Sequence, residues 1–561
     1  MLRDVILNFP WPKSMRSGTS TFRWVRPLKR ILFLFDGEVV PFELEGMQAS
    51  NVTEGHRFLG SGQPFAVTDF LNYEKLLADN FVILDHATRQ TVILDEARKV
   101  CADAGCELIE DQGLLEEVAG LNEWPVPLLG DMDPQFLTLP PEVIKTSMRT
   151  HQKYFAVRGP DGKMAAKFLI VANMKAQDGG AEIKRGNAKV LSARLSDGVF
   201  FWTEDNKAGN FDAWLERLKG TTFHVKLGTM AQRVERIVAM ARYIAPLMGA
   251  DGEVAAEAAR LAKADLASKM VGEFPELQGV MGGYYADAAG LSTVVADAIR
   301  EHYKPQGPSD SVPTGKVSAV VALADKIDTL VGFFAIDEKP TGSKDPYALR
   351  RSALGILRIL REHGVRLSLS ELVAAWYGLD VPAHVQPEEK VRSEILDFFA
   401  DRLKVQLREE GRPLEALDAV LATRDDDIVR MTEKIAALVE AVQSPFGDDL
   451  LAVHKRAANI LAASKMTFTD EMPRVLPDAP EVETVLIAHL KNAKVNIANA
   501  VNSENWFEAL RLIAALRQDV DAFLDGVLVN ADDPDIRANR LLILSGVCRL
   551  SLGIADLSKI A

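Results

Sequence analysis

The residues that come nearest to a catalytic metal site are two aspartates in small, apolar, helix-forming stretches: Asp265, preceded by Ala264, and Asp325, in the run Leu323, Ala324, Asp325, Lys326. Helices that each present an imidazole or a carboxylate can share one divalent cation. Here the histidines such a site needs do not stand beside either aspartate. Two carboxylates alone hold a metal weakly, so both are expected to cap helices or to pair with cations. Among the nine histidines there is no HExxH pair, no close His/Cys cluster and no serine in a GxSxG elbow. A nucleotide-activating site would need backbone amides cradling phosphates, usually announced by a glycine-rich loop. Gly60-Ser61-Gly62 and Gly342-Ser343-Lys344 are the nearest approaches. Neither has the required spacing between a strand and a helix, and both read as turns.

The elements that must position these residues change character along the 561-residue chain. From Arg30 to about Phe223, short β-branched and aromatic runs alternate with turns: Ile31 to Phe35 before Asp36-Gly37, Tyr154 to Val157 before Gly159-Pro160-Asp161-Gly162, then Phe168 to Ala172. Helical stretches at Thr68 to Asn80 and Asp95 to Ala104 make this a mixed α/β, strand-rich region. Beyond Phe223 the period changes. Val317, Val320, Val321, Ala324, Ile327, Leu330, Val331 and Phe334 recur at spacings of three and four, which places them on one helical face. Leu512, Leu516, Val520, Phe523 and Val527 predict a further helix, and Leu541, Leu544, Val547, Leu550, Ile554 and Leu557 another. Asp533 before Pro534 is an N-cap and first-turn pair that opens the latter, because proline lacks the amide that would go unsatisfied there.

Composition excludes several classes. No apolar run approaches the roughly 20 residues that cross a bilayer, since Asp325, Lys326 and Asp328 interrupt the longest. The start, Met1 to Lys13, carries Asp4, Pro10 and Pro12 where a secretory signal would be continuously apolar. A cytoplasmic protein with no membrane partner is expected. Cys101, Cys106 and Cys548 are too few for a disulfide framework and are expected to be reduced thiols. The formal net charge of −14 disfavours nucleic acid on average, yet Met1 to Arg30 holds seven basic residues against one acidic, and Pro141 to Phe200 eleven against five. Those stretches could follow a phosphate backbone or simply solvate a surface.

The run from Leu323 to Phe334, continuing from Lys339 to Arg358, closely resembles the beta subunit of the bacterial heterotetrameric glycyl-tRNA synthetase. Agreement continues through Gly55 to Phe58, Glu123 to Val126, His151 to Phe155, Arg194 to Asp197 with Phe200 and Phe201, and Met270 to Met281. Nearly the whole chain is covered. At the C-terminus, Val520 to Val529 and Arg537 to Arg540 resemble the helical anticodon-binding domain of arginyl-type synthetases. The resemblance implies a multidomain fold: an editing-type α/β domain like that of phenylalanyl-tRNA synthetase over 1–223, a degenerate His-Asp (HD-like) helical domain over 224–365, a helical body over 366–450 and an anticodon-binding helical domain over 451–561. It implies that a partner alpha subunit, in a two-alpha, two-beta assembly, uses ATP and Mg2+ to make glycyl-adenylate, while this chain handles tRNA(Gly) and holds no cofactor. The family also begins with a further α/β segment upstream of this chain's first residues. No synthetase ATP motif is recognisable here, which agrees with that division of labour.

Anticodon bases are read by stacking on aromatic or guanidinium faces, at about 1 to 3 kcal/mol each. Arg537 and Arg540, at the start of the terminal helix, are the candidates, with pairing to Asp532, Asp533 or Asp535 as the alternative. Lys455 and Arg456 stand likewise. Leu451 to Ala561 holds 12 Lys and Arg against 14 Asp and Glu, so no broad basic field supports them. Arg350 and Arg351 either bind backbone phosphate or fix the preceding turn by pairing with Asp345. Editing is not expected of the α/β region, because glycine has no smaller competitor to reject. Two other classes stay open: a metal-dependent HD-type phosphohydrolase or tRNA-editing hydrolase, and a non-enzymatic RNA-binding scaffold.

Overall fold

The computed structural model describes residues 1–464, 469 and 471–560. They form two compact units, Met1–Lys207 and Ala208–Ala561. The first contains strands and helices, and the second is almost entirely helical.

The first unit is built on an antiparallel sheet of β1 (Glu107–Leu108), β2 (Val126–Asp131), β3 (Phe155–Arg158) and β4 (Met164–Ala172), in the order β1-β3-β4-β2. Two helices, His86–Asp103 and Gln112–Leu121, start where Asp85 and Asp111 accept the free amides of Thr88 and Leu114. Ile93, Cys101, Leu114 and Val118 from these helices pack with Phe155, Val157 and Leu169 of the sheet. Strand alternation turns Leu128 to the opposite face, where it approaches Gly180 just ahead of the long helix Ala181–Asp205. Gly130 pairs with Phe168 across β2 and β4, and a Cβ there would lie 2.5 Å from the Phe168 ring. The sequence-expected strands near residues 154 and 168 are present, and the helix expected over Asp95 to Ala104 begins earlier, at His86.

In the second unit the helix expected from Lys316 runs from Lys316 to Ala335, and all of it except Lys316 and Thr329 is buried. The periodic apolar stripe found one face only. The helices Met230–Leu247, Thr293–Glu301, Leu349–His363 and Glu388–Glu409 all pack against it, so the alanines and the charged residues between the stripe positions are enclosed as well. A charge buried this way must find a partner. Toward the C-terminus the single helix expected over Leu512 to Val527 is two, Trp506–Ala514 and Arg517–Gly526, joined by a tight turn in which the Leu516 amide bonds the Ile513 carbonyl. Both pack on the helix Glu481–Asn502, so the apolar spacing reports a shared core rather than one continuous helix. The last helix, Pro534–Arg549, starts at Asp533, whose carboxylate accepts the amides of Asp535 and Ile536. It stops at Arg549, and Ile554 and Leu557 reach the core from the turns that follow. Among the described residues no helix is long and apolar enough to cross a membrane, and the three cysteines are free thiols.

Candidate functional site

Two of the charges that interrupt the buried helix Lys316–Ala335, Asp325 and Lys326, line the floor of a pocket. Asp325 and Asp328 lie one turn apart and accept cations from two directions. The helix Met230–Leu247, opened by a capping box between Thr229 and Gln232, carries Arg233 and Arg236 on the facing side. Arg236 Nε donates to Asp328 Oδ1 over 2.6 Å, and Trp376 Nε1 donates to the same oxygen over 2.9 Å. Arg233 donates to Asp325 Oδ1 over 3.0 Å and to the Thr329 hydroxyl over 2.7 Å, and its guanidinium lies 4.2 Å from the Phe223 ring centre.

The other cation on Asp325 is Lys263, which is 1% exposed and stands 2.9 Å from Asp325 Oδ1. Its ammonium also lies 2.9 Å from His302 Nε2 and 3.8 Å from the centre of the Tyr303 ring. Because the ammonium can only donate, His302 Nε2 accepts, and the ring proton sits on Nδ1, which bonds the Ile299 carbonyl over 2.6 Å. Burial keeps that imidazole neutral, pressing His302 well below its ordinary range, with the nearby Lys263 charge adding to the effect. Burial works to raise Asp325, but Lys263 and Arg233 overcome it and hold the carboxyl below the ordinary range. Lys263 is itself lowered, mainly by burial, with Asp325 pulling it back.

Asp265, the other aspartate singled out in the sequence, does a different job. Its Oδ2 accepts the Gly279 amide at 2.6 Å and the Gly282 amide at 2.9 Å, so it caps the helix Val280–Ala288 from a distance in sequence. Gly282 permits that approach, since a Cβ there would lie 2.7 Å from Ile299 and 3.1 Å from Asp265 Oδ2. Asp265 Oδ1 is buried without a hydrogen-bond partner, and burial lifts the carboxyl to about 6 against its amide bonds.

Above this floor opens a recess of about 340 Å3. Arg233, Lys326 and Arg351 reach it, with Phe223, Tyr303 and Tyr347 in its wall. Lys326 Nζ donates to the carbonyls of His302 and Tyr303, over 3.4 and 3.0 Å, and burial lowers it to about 8. Gly355 lets that side chain pass, because a Cβ there would sit 2.8 Å from Lys326 Cε. Among the described residues no carboxylate lies within ion-pair distance of Lys326 or Arg351. The recess therefore carries more positive than negative charge.

The sequence-derived RNA candidates fall in different places. Arg351 is exposed at the rim of this recess, whereas Arg350 donates to the Gly342 carbonyl over 2.5 Å and fixes the turn. Asp345, the alternative partner for Arg350 and Arg351, accepts the backbone amides of Leu349 and Arg350 instead. Arg540 is committed to Glu483 at 2.8 Å and to the Leu528 carbonyl at 2.9 Å, deep in the terminal helical bundle. None of Asp532, Asp533 or Asp535 is its partner. Arg456 is shared between Asp521 and Asp525. Arg537 and Lys455 remain exposed, Arg537 donating, among the described residues, to the Ala531 carbonyl at 3.4 Å. Lys263, His302, Arg233 and Tyr347 were not found from sequence. The one available signal was a lysine inside the small, apolar run Leu261-Ala262-Lys263-Ala264.

Comparison with known proteins places this architecture. The family model described as glycyl-tRNA synthetase beta subunit matches residues 1–422. The glycine–tRNA ligase beta subunit of Phenylobacterium zucineum (strain HLK1) is 52% identical over 566 residues, covering 100% of this chain and 82% of the relative. The corresponding proteins of Ruegeria sp. (strain TM1040) and Paracoccus denitrificans (strain Pd 1222) are each 47% identical, again over 100% of this chain and 82% of their own length.

Proposed function

The chain belongs to the glycyl-tRNA synthetase beta subunit family, and from that premise we propose that it grips the tRNA while a companion alpha subunit joins glycine to ATP. The chain is a subunit of an aminoacyl-tRNA ligase. In the proposed assembly, two alpha and two beta chains work together in the cytoplasm, and ATP with Mg2+ acts on alpha.

The observation that carries this division of labour is the Lys263 ammonium seated between Asp325 and His302. In a metal-dependent phosphohydrolase, the carboxylate and imidazole lone pairs at such a place would hold a cation that activates water. Here they are bonded to the buried Lys263 side chain, which takes up the lone pairs a metal ion would need and cannot polarise water as a Lewis acid does. Positioning, not bond breaking, is the work this arrangement suits. In the terminal helical bundle, proposed to bind the anticodon, Arg537 and Lys455 are the two of the four candidate cations that stay exposed and available to RNA, while Arg540 and Arg456 are paired with carboxylates of the bundle.

Two measurements on the purified full chain test the reading: retention of tRNA(Gly) on filters across a salt series, and glycine-dependent exchange of pyrophosphate into ATP. Retention that falls with rising salt, together with exchange only after the alpha chain is added, is the expected result. Adenylate formation by the chain alone would overturn it.

A further inference from the structure

We propose that the recess between the helices Met230–Leu247, Lys316–Ala335 and Leu349–His363 is a nucleotide site, its cations holding a phosphate and its aromatic wall taking the base of one unpaired nucleotide. This rests on the RNA-handling role proposed above and says where and how one nucleotide is held.

Charge supplies the first argument. Three cations, Arg233, Lys326 and Arg351, line the recess, and Asp325 is the carboxylate in its lining. Asp325 is already neutralised by Lys263 and Arg233 on the same oxygen. Lys326 and Arg351 therefore line the recess with no carboxylate within ion-pair distance among the described residues. An ammonium held on two backbone carbonyls by a buried stem is costly to maintain unless an anion joins it. A guanidinium and an ammonium converging on one recess are the donors that phosphate oxygens accept from.

Shape supplies the second. The volume, about 340 Å3, lies at the lower end of the roughly 300 to 1,000 Å3 usual for small-ligand sites. It suits one nucleotide and not a duplex. The wall is aromatic, with Tyr347 stacked on Phe333 at 3.9 Å between ring centres and Phe223 carrying the Arg233 guanidinium. The Tyr347 hydroxyl is tied to Glu338 over 2.6 Å, which holds the ring in place. A ring fixed in this way is a stacking platform that tolerates any base.

The third argument is local rigidity. Asp345 accepts the first two amides of the helix Leu349–His363, and Arg350 ties back to the Gly342 carbonyl. Arg351 and Ser352 thus project from the first turn of a helix whose start is already fixed, so binding need not order it first.

The same chemistry could arrive as a free nucleotide or as an unpaired residue of RNA, and the experiment separates them. Calorimetric titration of the full chain uses adenosine, AMP and a single-stranded RNA trinucleotide, with the Arg351→Ala and Tyr347→Leu variants alongside the parent. AMP or the trinucleotide should bind at least about tenfold more tightly than adenosine, and Arg351→Ala should weaken the phosphate-bearing ligand about five- to tenfold. Tyr347→Leu should weaken the trinucleotide about fivefold or more. Tighter binding of the trinucleotide than of AMP assigns the site to RNA, and the reverse assigns it to free nucleotide. Equal affinity for adenosine and AMP, insensitivity to Arg351→Ala, or no binding of either phosphate-bearing ligand overturns the proposal. If full-length tRNA is still retained by a chain that binds neither, this site fails while the RNA-handling role stands.

Discussion

Replacing Arg540 with alanine tests whether that residue reads RNA or holds the terminal bundle together. Glu483 is 1% exposed, and its side chain has two partners, the Arg540 guanidinium at 2.8 Å and the Asn539 amide at 3.3 Å. Arg540→Ala removes the charged partner and strands a buried carboxylate, a loss that costs about 3 to 5 kcal/mol. The Leu528 carbonyl loses its donor in the same step. The unit Ala208–Ala561 has roughly 350 residues, and at about 2 cal/mol/K of unfolding entropy per residue that penalty lowers its melting temperature by about 4 to 7 °C. Scanning calorimetry of the full chain measures it. The double variant Arg540→Met with Glu483→Leu removes both charges together and should recover most of the loss. Well below the melt, Arg540→Ala should retain tRNA within about twofold of the parent. An unchanged melting temperature combined with a large loss of tRNA affinity would refute the structural assignment and return Arg540 to the RNA-contacting set.

The buried cluster gives two more tests. Asp265, raised by burial from 3.8 to about 6, binds more protons folded than unfolded between those values, so its contribution to stability is present at low pH and is lost as pH rises through about 6. At about 1.4 kcal/mol per pH unit this amounts to about 3 kcal/mol. The stability of Asp265→Asn relative to the parent should therefore climb by about that much between about pH 4 and about pH 7, measured by urea unfolding, and a flat difference would contradict it. Lys263→Met leaves Asp325 with Arg233 at 3.0 Å as its remaining cation and deprives His302 of its donor. The urea midpoint should fall by an amount equivalent to about 3 kcal/mol, and an unchanged midpoint would mean that Lys263 is not the counter-ion of this core.

What the sequence disclosed, and what it hid, follows from the distance over which each interaction acts. The Lys316–Ala335 helix and the Asp533-Pro534 cap were legible because helical period and capping are set within a few residues. The same locality misled the search for partners of Arg540. Asp532, Asp533 and Asp535 stand nearby in the chain, but Asp533 already accepts the amides of Asp535 and Ile536, while the partner that folding supplies, Glu483, lies 57 residues upstream. The cluster under the recess shows this more strongly. A search for histidine next to aspartate finds nothing at Asp265 or Asp325, yet His302 comes within 2.9 Å of a lysine that itself touches Asp325, and the lysine and histidine are 39 residues apart. Glycines carried no apolar signal in the periodicity, although Gly282 and Gly355 let Asp265 and Lys326 approach their neighbours. A buried charge can be tolerated only where folding brings a counter-charge. Asp325 and Lys326 inside an otherwise apolar helix were therefore evidence that distant cations and carbonyls must converge there, even though their identity depended on the tertiary fold.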